Sequence, residues 1–357
     1  MVYLITLAII VAFVGYTSPK YGLRQNNYKN YIILCGTLIL AVTALRSPYT
    51  GTGDNYQYML RYKSLQNYGS FQDYYDLYMS EYDLLSSEAG YYFTMWLFGH
   101  VLKDGQWVFV ISSVLITVAT CRFIRRNSVD IPLSLTIYIC LGLFTFNMNG
   151  MRQAMAMSIC LFAYEYAKNR KLIPFVLTVL LAMLFHKTAL CFMPMYFLPV
   201  LKNKVGSWIF YVFGLIICLL FVDRIIEGYY AISGEDYSDN ALATGGGLFV
   251  ILLYVGAIAL TLLNPSLLEQ TSVRVAFLAT LAGFAAYISR FVGSGILERV
   301  SYYYFYFPIL LIPESMRGLK ARDRNFIKVL FILGSVALFA YRIYKGDFRE
   351  FTFFFLQ

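Results

Sequence analysis

The amino-acid sequence predicts an all-α protein, a polytopic bundle of transmembrane helices with about 12 crossings. Three observations support this prediction. Of the 357 residues, 59% are hydrophobic and only 14% are charged, whereas a soluble domain has roughly 25% charged residues. Apolar runs recur from one end of the chain to the other. The polar–apolar alternation that marks outer-membrane barrel strands is absent from the sequence.

The apolar runs predict helices because backbone groups in lipid must find their hydrogen bonds within the segment. With allowance for polar ends, the runs are Leu4–Val14, Tyr31–Leu45, Gln106–Thr120, Ile131–Phe146, Trp208–Val222, Leu248–Leu263, Val275–Ile288 and Phe326–Tyr341. The apolar stretch Tyr91–Val101 is too short to cross, so we interpret it as an interfacial or re-entrant helix. No linker or internal repeat divides the sequence, so residues 1–357 are predicted to form one domain.

Basic residues cluster in short segments between the apolar runs, and this pattern sets the orientation of a membrane protein. The predicted cytoplasmic segments are 20–29, 122–126, 168–171, 202–204 and 317–328. The acid-rich segments 46–90 and 224–245, with both termini, then face outward. This distribution accounts for the net charge of +9, so nucleic acid is excluded as a partner.

The outer segment 46–90 is long and contains many tyrosines. A disordered segment would be poor in aromatic residues, so we expect it to fold onto the bundle as short amphipathic helices. The six cysteines lie in or at the ends of apolar runs without the spacing of a metal site. The sequence therefore predicts neither a metal nor another cofactor.

Ionisable residues at the predicted outer ends of the spans are candidates for function. The stretch from Asn149 to Gln153 predicts a helix start at Gly150, capped by Asn149. Free N–H groups at such a start attract anions, and the forked guanidinium of Arg152 fits phosphate oxygens. The alternative is a structural cap with a snorkelling arginine.

Three residues compete for the role of a base, in the order Asp54, Glu88 and His186. Each has a simpler explanation: a tight turn with a solvated acid for Asp54, a charge favoured by the helix dipole for Glu88, and an interface residue for His186. Tyr303 and Tyr306 share a helical face with Arg299. They belong either to an interfacial aromatic belt or to a wall that stacks on sugars.

Nucleotide-binding motifs are absent from the sequence. It has no P-loop, no dinucleotide fingerprint, no carboxylate pair for a metal and no serine nucleophile elbow. These absences argue against an enzyme that uses nucleotide sugars in the cytoplasm.

Five motifs resemble, in order, those of the EpsG-like branch of the Wzy-type polysaccharide polymerases. They are Gly-Thr-Gly-Asp-Asn-Tyr after Arg46, Glu-Ala-Gly-Tyr from Glu88, Asn-Gly-Met-Arg-Gln-Ala from Asn149, Leu-Phe-His-Lys-Thr-Ala from Leu184, and Glu298-Arg299 before aromatic residues. The family's usual Gly-Thr-Asp and Glu-Pro-Gly are altered here. These departures bear on the roles of Asp54 and Glu88.

The resemblance implies a bundle related to the C-type membrane glycosyltransferases, in the bacterial cytoplasmic (inner) membrane, with its active site on the outer side. Its substrates would be oligosaccharides linked to polyprenyl diphosphate, such as undecaprenyl diphosphate. It would join repeat units of O-antigen, capsule or exopolysaccharide. Membrane lipids, a flippase and a chain-length regulator are the other expected partners.

The residue patterns and the resemblance agree on one mechanism, in which cations hold the departing diphosphate. The predicted diphosphate-binding residues are Arg46, Gly150, Arg152, Gln153, Arg290 and Arg299. The candidate catalytic residues are Asp54, Glu88 and His186, and the candidate glycan-binding residues are Tyr56, Tyr303 and Tyr306. An O-antigen ligase would use the same arginine chemistry, whereas a flippase or transporter would favour ionisable groups near mid-membrane and a repeated fold.

Overall fold

The computed structural model describes residues 2–17, 27–51, 54–78, 88–140, 142–220, 224, 228, 247–289, 295–346 and 348–356. Within these ranges the regular structure is helical, and one isolated bridge pairs Arg46 with Phe353. The all-α prediction is therefore confirmed. Most of the predicted outer segment 224–245 lies outside the described residues.

The α-helices are α1 Val2–Thr17, α2 Asn27–Ala44, α3 Asp54–Leu65, α4 Phe71–Tyr78, α5 Ala89–Val101, α6 Trp107–Asn127, α7 Ile131–Cys140, α8 Leu143–Asn149, α9 Met151–Lys168, α10 Leu172–Met183, α11 Val205–Leu220, α12 Gly247–Leu262, α13 Thr271–Ile288, α14 Gly295–Tyr304, α15 Tyr306–Met316 and α16 Ala321–Lys345. The 3₁₀ helices are Lys187–Tyr196, Leu198–Val200, Pro265–Glu269 and Phe354–Leu356.

The apolar runs coincide with helices. Among the described residues, α6, α13 and α16 are long and apolar enough to cross a membrane, and the bent pair α7–α8 makes a fourth candidate. Shorter apolar helices lie in α1, α2, α10, α11 and α12. The chain is thus a helical membrane protein, and its number of crossings stays a prediction.

The predicted run Ile131–Phe146 is not one straight helix. The axes of α7 and α8 differ by 53°, and Gly142 caps α8 with a φ of 93°, a backbone conformation that glycine adopts without steric cost. The Arg342 guanidinium lies 2.6 Å from the place where a β-carbon on Gly142 would stand. The bend therefore makes room for a charged side chain from α16.

Three of the basic segments, those at 122–126, 168–171 and 317–328, meet at one end of the bundle, as the orientation rule predicts for loops in one compartment. Lys168 donates a hydrogen bond to the Asn127 side chain at 2.7 Å, and Lys328 pairs with Asp130 at 2.5 Å. We call this the basic end. Helix α9 leads from Lys168 to the opposite end over about 27 Å. That opposite end, where segment 46–90 packs, is called the loop end.

The loop end contains a second hydrophobic cluster, separate from the main core. Tyr62 and Leu65 of α3, Tyr92 and Met95 of α5, and Phe109 of α6 are all buried in it. The hydroxyl of Tyr62 donates to the carbonyl of Leu102 at 2.7 Å. The prediction that segment 46–90 folds onto the bundle as short helices is thus confirmed for its described residues.

Both ends of the chain also lie at the loop end. The N–H of Ser47 donates to the carbonyl of Thr352 at 2.9 Å, and the rings of Tyr3 and Phe353 lie 4.7 Å apart. The predicted placement of both termini on one side of the bundle agrees with these contacts.

Candidate functional site

The site begins with a helical hairpin whose tip lies at the loop end. Helix α10 runs away from the basic end, and the 3₁₀ helix Lys187–Tyr196 returns to it, where Arg170 donates to the carbonyl of Tyr196 at 2.5 Å. At the tip, the carbonyl of Leu184 accepts from the N–H of Gly90 at 2.9 Å. A β-carbon on residue 90 would stand only 2.7 Å from the Leu184 β-carbon, so glycine permits this docking.

The docked hairpin brings Glu88, Arg152 and His186 together, as the sequence motifs predict. Glu88, which precedes α5, is only 2% exposed. Its Oε2 accepts a hydrogen bond from Arg152 Nη1 at 2.5 Å, and its Oε1 bonds to His186 Nδ1. One carboxylate therefore links residues that are 64 and 98 positions away in the chain.

Glu88 is ionised in this environment. Burial by itself would raise its pKa, but the nearby His186, Arg152 and Lys187 more than offset burial and lower the pKa to about 2. An ionised carboxylate only accepts hydrogen bonds. His186 Nδ1 therefore carries the proton in its bond to Glu88.

The other ring nitrogen of His186 is the notable atom of this cluster. His186 is 2% exposed, and its Nε2 has no hydrogen-bond partner among the described residues. Leaving a buried polar atom unsatisfied costs roughly 1–3 kcal/mol. The hydrogen bond to Glu88 fixes the orientation of this buried nitrogen.

Arg152 is more open than its two partners, because 31% of its side chain is exposed. Its Nη1 also approaches the hydroxyl of Tyr92 at 3.4 Å, and its side chain lies near that of Tyr58. The same Tyr92 hydroxyl accepts a hydrogen bond from Arg61 Nη1 at 2.7 Å. Two guanidinium groups thus converge on one phenol oxygen.

Arg61, Tyr58 and Tyr92 were missed in the sequence. The sequence did offer a sign that Arg61 is unusual. It is the only arginine in segment 47–90, and this segment is predicted to be acid-rich and to face outward. Tyr58 and Tyr92 are indistinguishable from the many neighbouring tyrosines until α3 and α5 are packed together.

Gln153 and Arg299 are neighbours, as the sequence suggests. Gln153 Nε2 donates to the carbonyl of Arg299 at 2.5 Å, and the hydroxyls of Thr188 and Tyr303 lie 3.2 Å apart. These bonds fix α14 against the hairpin and the start of α9. Arg290 lies outside the described residues.

The surroundings of Arg46 do not support its predicted role in diphosphate binding. The guanidinium is fully enclosed: Nη2 bonds to the Met148 carbonyl at 3.0 Å and to the Asn55 side chain at 3.4 Å, and Nη1 bonds to the carbonyl of Thr43. It also lies 4.4 Å from the centre of the Phe109 ring. A ligand has no access to it, because protein groups surround it.

The N–H of Gly150 itself is not available to the expected anion. Gly150 does precede α9, but its N–H already donates to the carbonyl of Phe146 at 2.8 Å. Asn149 is the last residue of α8, and no side chain caps α9. The helix start therefore positions Arg152, while the glycine N–H is unavailable to an anion.

Tyr303 and Tyr306 do not form a sugar-stacking wall. Both are almost fully buried, and the hydroxyl of Tyr306 lies 3.2 Å from that of Thr120 in the core. Stacking needs a free ring face, and neither residue offers one. Tyr56 differs, because it stacks on Tyr49 at 5.3 Å, and Tyr49 is 68% exposed.

Asp54 is exposed at the first residue of α3 and lies outside the buried Glu88–His186 pair. The structure therefore favours His186 over Asp54 as the base, which reverses the order expected from sequence. Within the described residues, no group of three or more His, Cys, Asp or Glu side chains is arranged to hold a metal ion.

Apolar helices and a cluster of ionisable groups at one end define the class, a helical membrane protein with a charged site at the loop end. The chain belongs to the EpsG family, since the model of that family matches residues 29–356. The resemblance seen in the motifs is thereby confirmed. Membership indicates a polymerase-like role in polysaccharide biosynthesis. No curated protein and no solved structure matches the chain significantly.

Proposed function

We propose that the chain is a glycosyltransferase that polymerises oligosaccharide repeat units carried on polyprenyl diphosphate. Family membership supports the product class. The observation that carries the reaction is the cluster of a half-open Arg152 and a buried Glu88–His186 pair with an unpartnered Nε2. A cation for a leaving anion and an oriented base for a hydroxyl are the two groups that glycosyl transfer needs.

In the proposed step, His186 Nε2 takes the proton from a hydroxyl of the acceptor sugar. The hydroxyl oxygen forms a bond to the anomeric carbon of the donor glycan. The bond from that carbon to the diphosphate oxygen breaks, and its electron pair stays on the diphosphate. The proton on His186 then passes to solvent or to the departing diphosphate, which restores the neutral ring.

Glu88 is a positioning residue in this scheme. It holds the Nδ1 proton, so Nε2 faces the acceptor as the free base, and it stabilises the imidazolium that forms. Arg152 is placed to bind the diphosphate, where negative charge grows as the bond breaks. Its partial exposure leaves part of the guanidinium open to such a ligand.

The stacked pair Tyr49 and Tyr56 is the proposed glycan contact, because an exposed tyrosine face suits the apolar side of a sugar ring. We also propose that the chain forms a single domain of about 12 crossings, related to the C-type membrane glycosyltransferases. The site would open to the outer face of the cytoplasmic membrane. The separation of the basic end from the loop end supports that orientation.

Product analysis in cells tests the function. A strain that depends on this chain is complemented with His186→Ala, His186→Gln or the wild-type gene, and the lengths of the lipid-linked glycans are measured. We expect both variants to leave single repeat units on carrier lipid, because no other described group replaces the base. Membrane levels of each variant are measured in parallel.

The matched control is His100→Ala, which changes the other histidine of the chain. His100 bonds to the Trp96 carbonyl within α5, and this variant should make polymer of normal length. Full-length polymer from folded His186→Ala would contradict the proposal. Polymer that accumulates on carrier lipid would indicate a ligase, and repeat units trapped in the inner leaflet would indicate a flippase.

A further inference from the structure

Arg61 and Arg152 approach each other closely although both are cations. Each donates to the hydroxyl of Tyr92, Arg61 at 2.7 Å and Arg152 at 3.4 Å. Like charges that share one neutral acceptor repel each other. A bound anion between them would relieve this repulsion.

Among the described residues, the carboxylate nearest to this pair of arginines neutralises Arg152 and not Arg61. Glu88 is the carboxylate that pairs with Arg152, and it is shared with His186. Arg61 is exposed on α3, with its guanidinium also 5.5 Å from the centre of the Tyr92 ring. The two guanidinium groups therefore carry more positive charge than the one shared carboxylate neutralises. Solvent reaches them from the Arg61 side.

The hydroxyl of Tyr92 adds a donor. Because it accepts from both guanidinium groups, its own proton is directed away from them, toward a further acceptor. Two forked cations with a hydroxyl donor between them match two adjacent phosphate groups. A single phosphate would engage only one of the forks fully.

We propose that Arg61, with Arg152 and Tyr92, forms a two-cation clamp that selects a diphosphate over a monophosphate. Each arginine takes one phosphate group of the lipid diphosphate, and the Tyr92 hydroxyl lies between them. This assignment rests on the proposed function for its substrate. In this arrangement α3, a helix outside the apolar spans, supplies half of the diphosphate site.

Ligand binding to the full chain in nanodiscs tests the clamp. Affinities for farnesyl diphosphate and farnesyl monophosphate are compared for the wild type, Arg61→Ala and Arg61→Lys. We expect Arg61→Ala to lose roughly tenfold in diphosphate affinity and much less in monophosphate affinity. Arg61→Lys keeps the charge without the fork, so it should recover only part of the preference.

Lys63→Ala is the matched control, because it removes one exposed positive charge from the same helix. It should leave the preference for diphosphate unchanged. The clamp is overturned if Arg61→Ala keeps the wild-type preference, or if Lys63→Ala loses as much of it. Circular dichroism and thermal unfolding confirm that each variant is folded.

The same variants separate this inference from the proposed function. If Arg61→Ala keeps the preference while His186→Ala abolishes polymer, the clamp fails and the polymerase stands. If Arg61→Ala loses the preference but His186→Ala cells make normal polymer, the diphosphate clamp stands and the proposed reaction, with His186 as its base, fails.

Discussion

Arg46 and Arg152 both lie at the loop end, and both follow the same sequence pattern of an arginine beside an apolar span. Arg46 is fully buried, and its guanidinium bonds to groups from α2, α3, α8 and α9. Arg152 keeps 31% of its side chain exposed and pairs with a carboxylate that also holds a histidine. One arginine joins helices, and the other faces a site.

The difference between these arginines lies in their partners. Neutral carbonyl and amide oxygens accept from both terminal nitrogens of Arg46, so these nitrogens are engaged within the protein. Arg152 lies beside the ionisable groups Glu88 and Arg61, and part of its side chain is exposed. A cluster of ionisable groups that is partly exposed indicates a functional site. A charged group enclosed by backbone carbonyls indicates a structural role.

The largest effect is expected for Arg152→Ala. Removal of one donor that stabilises a leaving anion lowers a rate by roughly 100-fold or more, so polymer should disappear while the protein remains in the membrane. Arg152→Lys should retain some activity. Gel analysis of glycan length together with membrane protein levels measures both properties.

The control for Arg152 is Arg126→Ala at the basic end. Arg126 is half-exposed and contacts Glu165 only at 3.7 Å, so its removal should leave chain length unchanged. Normal long chains from folded Arg152→Ala would contradict the assignment of the diphosphate site to this arginine.

Arg46→Ala should act on stability instead. It leaves several buried acceptors without a donor and opens a cavity, which we expect to lower the free energy of unfolding by roughly 3 kcal/mol. Thermal unfolding in detergent should show the loss, with less protein in membranes. If Arg46→Ala were as stable as the wild type but unable to bind lipid diphosphate, the contrast between the two arginines would be wrong.

Glu88→Gln is expected to have a smaller and pH-dependent effect on stability, about 2 kcal/mol at neutral pH. The pKa of Glu88 falls from an ordinary 4.5 to about 2, so its charge stabilises the folded state fully above pH 4.5. That contribution is lost as the pH falls toward about 2.

The unfolding temperatures of the wild type and Glu88→Gln, measured from pH 7 to pH 3, test this sign. Their difference should be constant between pH 7 and pH 5 and should narrow below about pH 4.5. A difference that already shrinks between pH 7 and pH 5 would show that the cations do not hold Glu88 ionised.

Much of the fold follows from the sequence because apolar runs and basic loops are local signals. The helices, the gathering of basic loops and the folding of segment 46–90 were all predictable. The bend at Gly142 was not, since a single glycine in an apolar run gives no sign that Arg342 will pack against it.

The site was predictable only in part. Glu88, Arg152 and His186 were singled out together because each lies in a motif that resembles the EpsG family. The burial of Arg46 depends on Met148 and Met151, which are more than 100 positions away, and the burial of Tyr306 depends equally on distant helices. Local patterns cannot distinguish an arginine that stays partly exposed from one that is enclosed.

A structure of the chain with bound polyprenyl diphosphate is the most direct test of the central claim. We expect phosphate oxygens about 3 Å from the guanidinium of Arg152, His186 Nε2 on the glycan side, and Arg46 still enclosed. A diphosphate bound at the basic end beside Arg122 and Arg126, or one bound to Arg46, would contradict it.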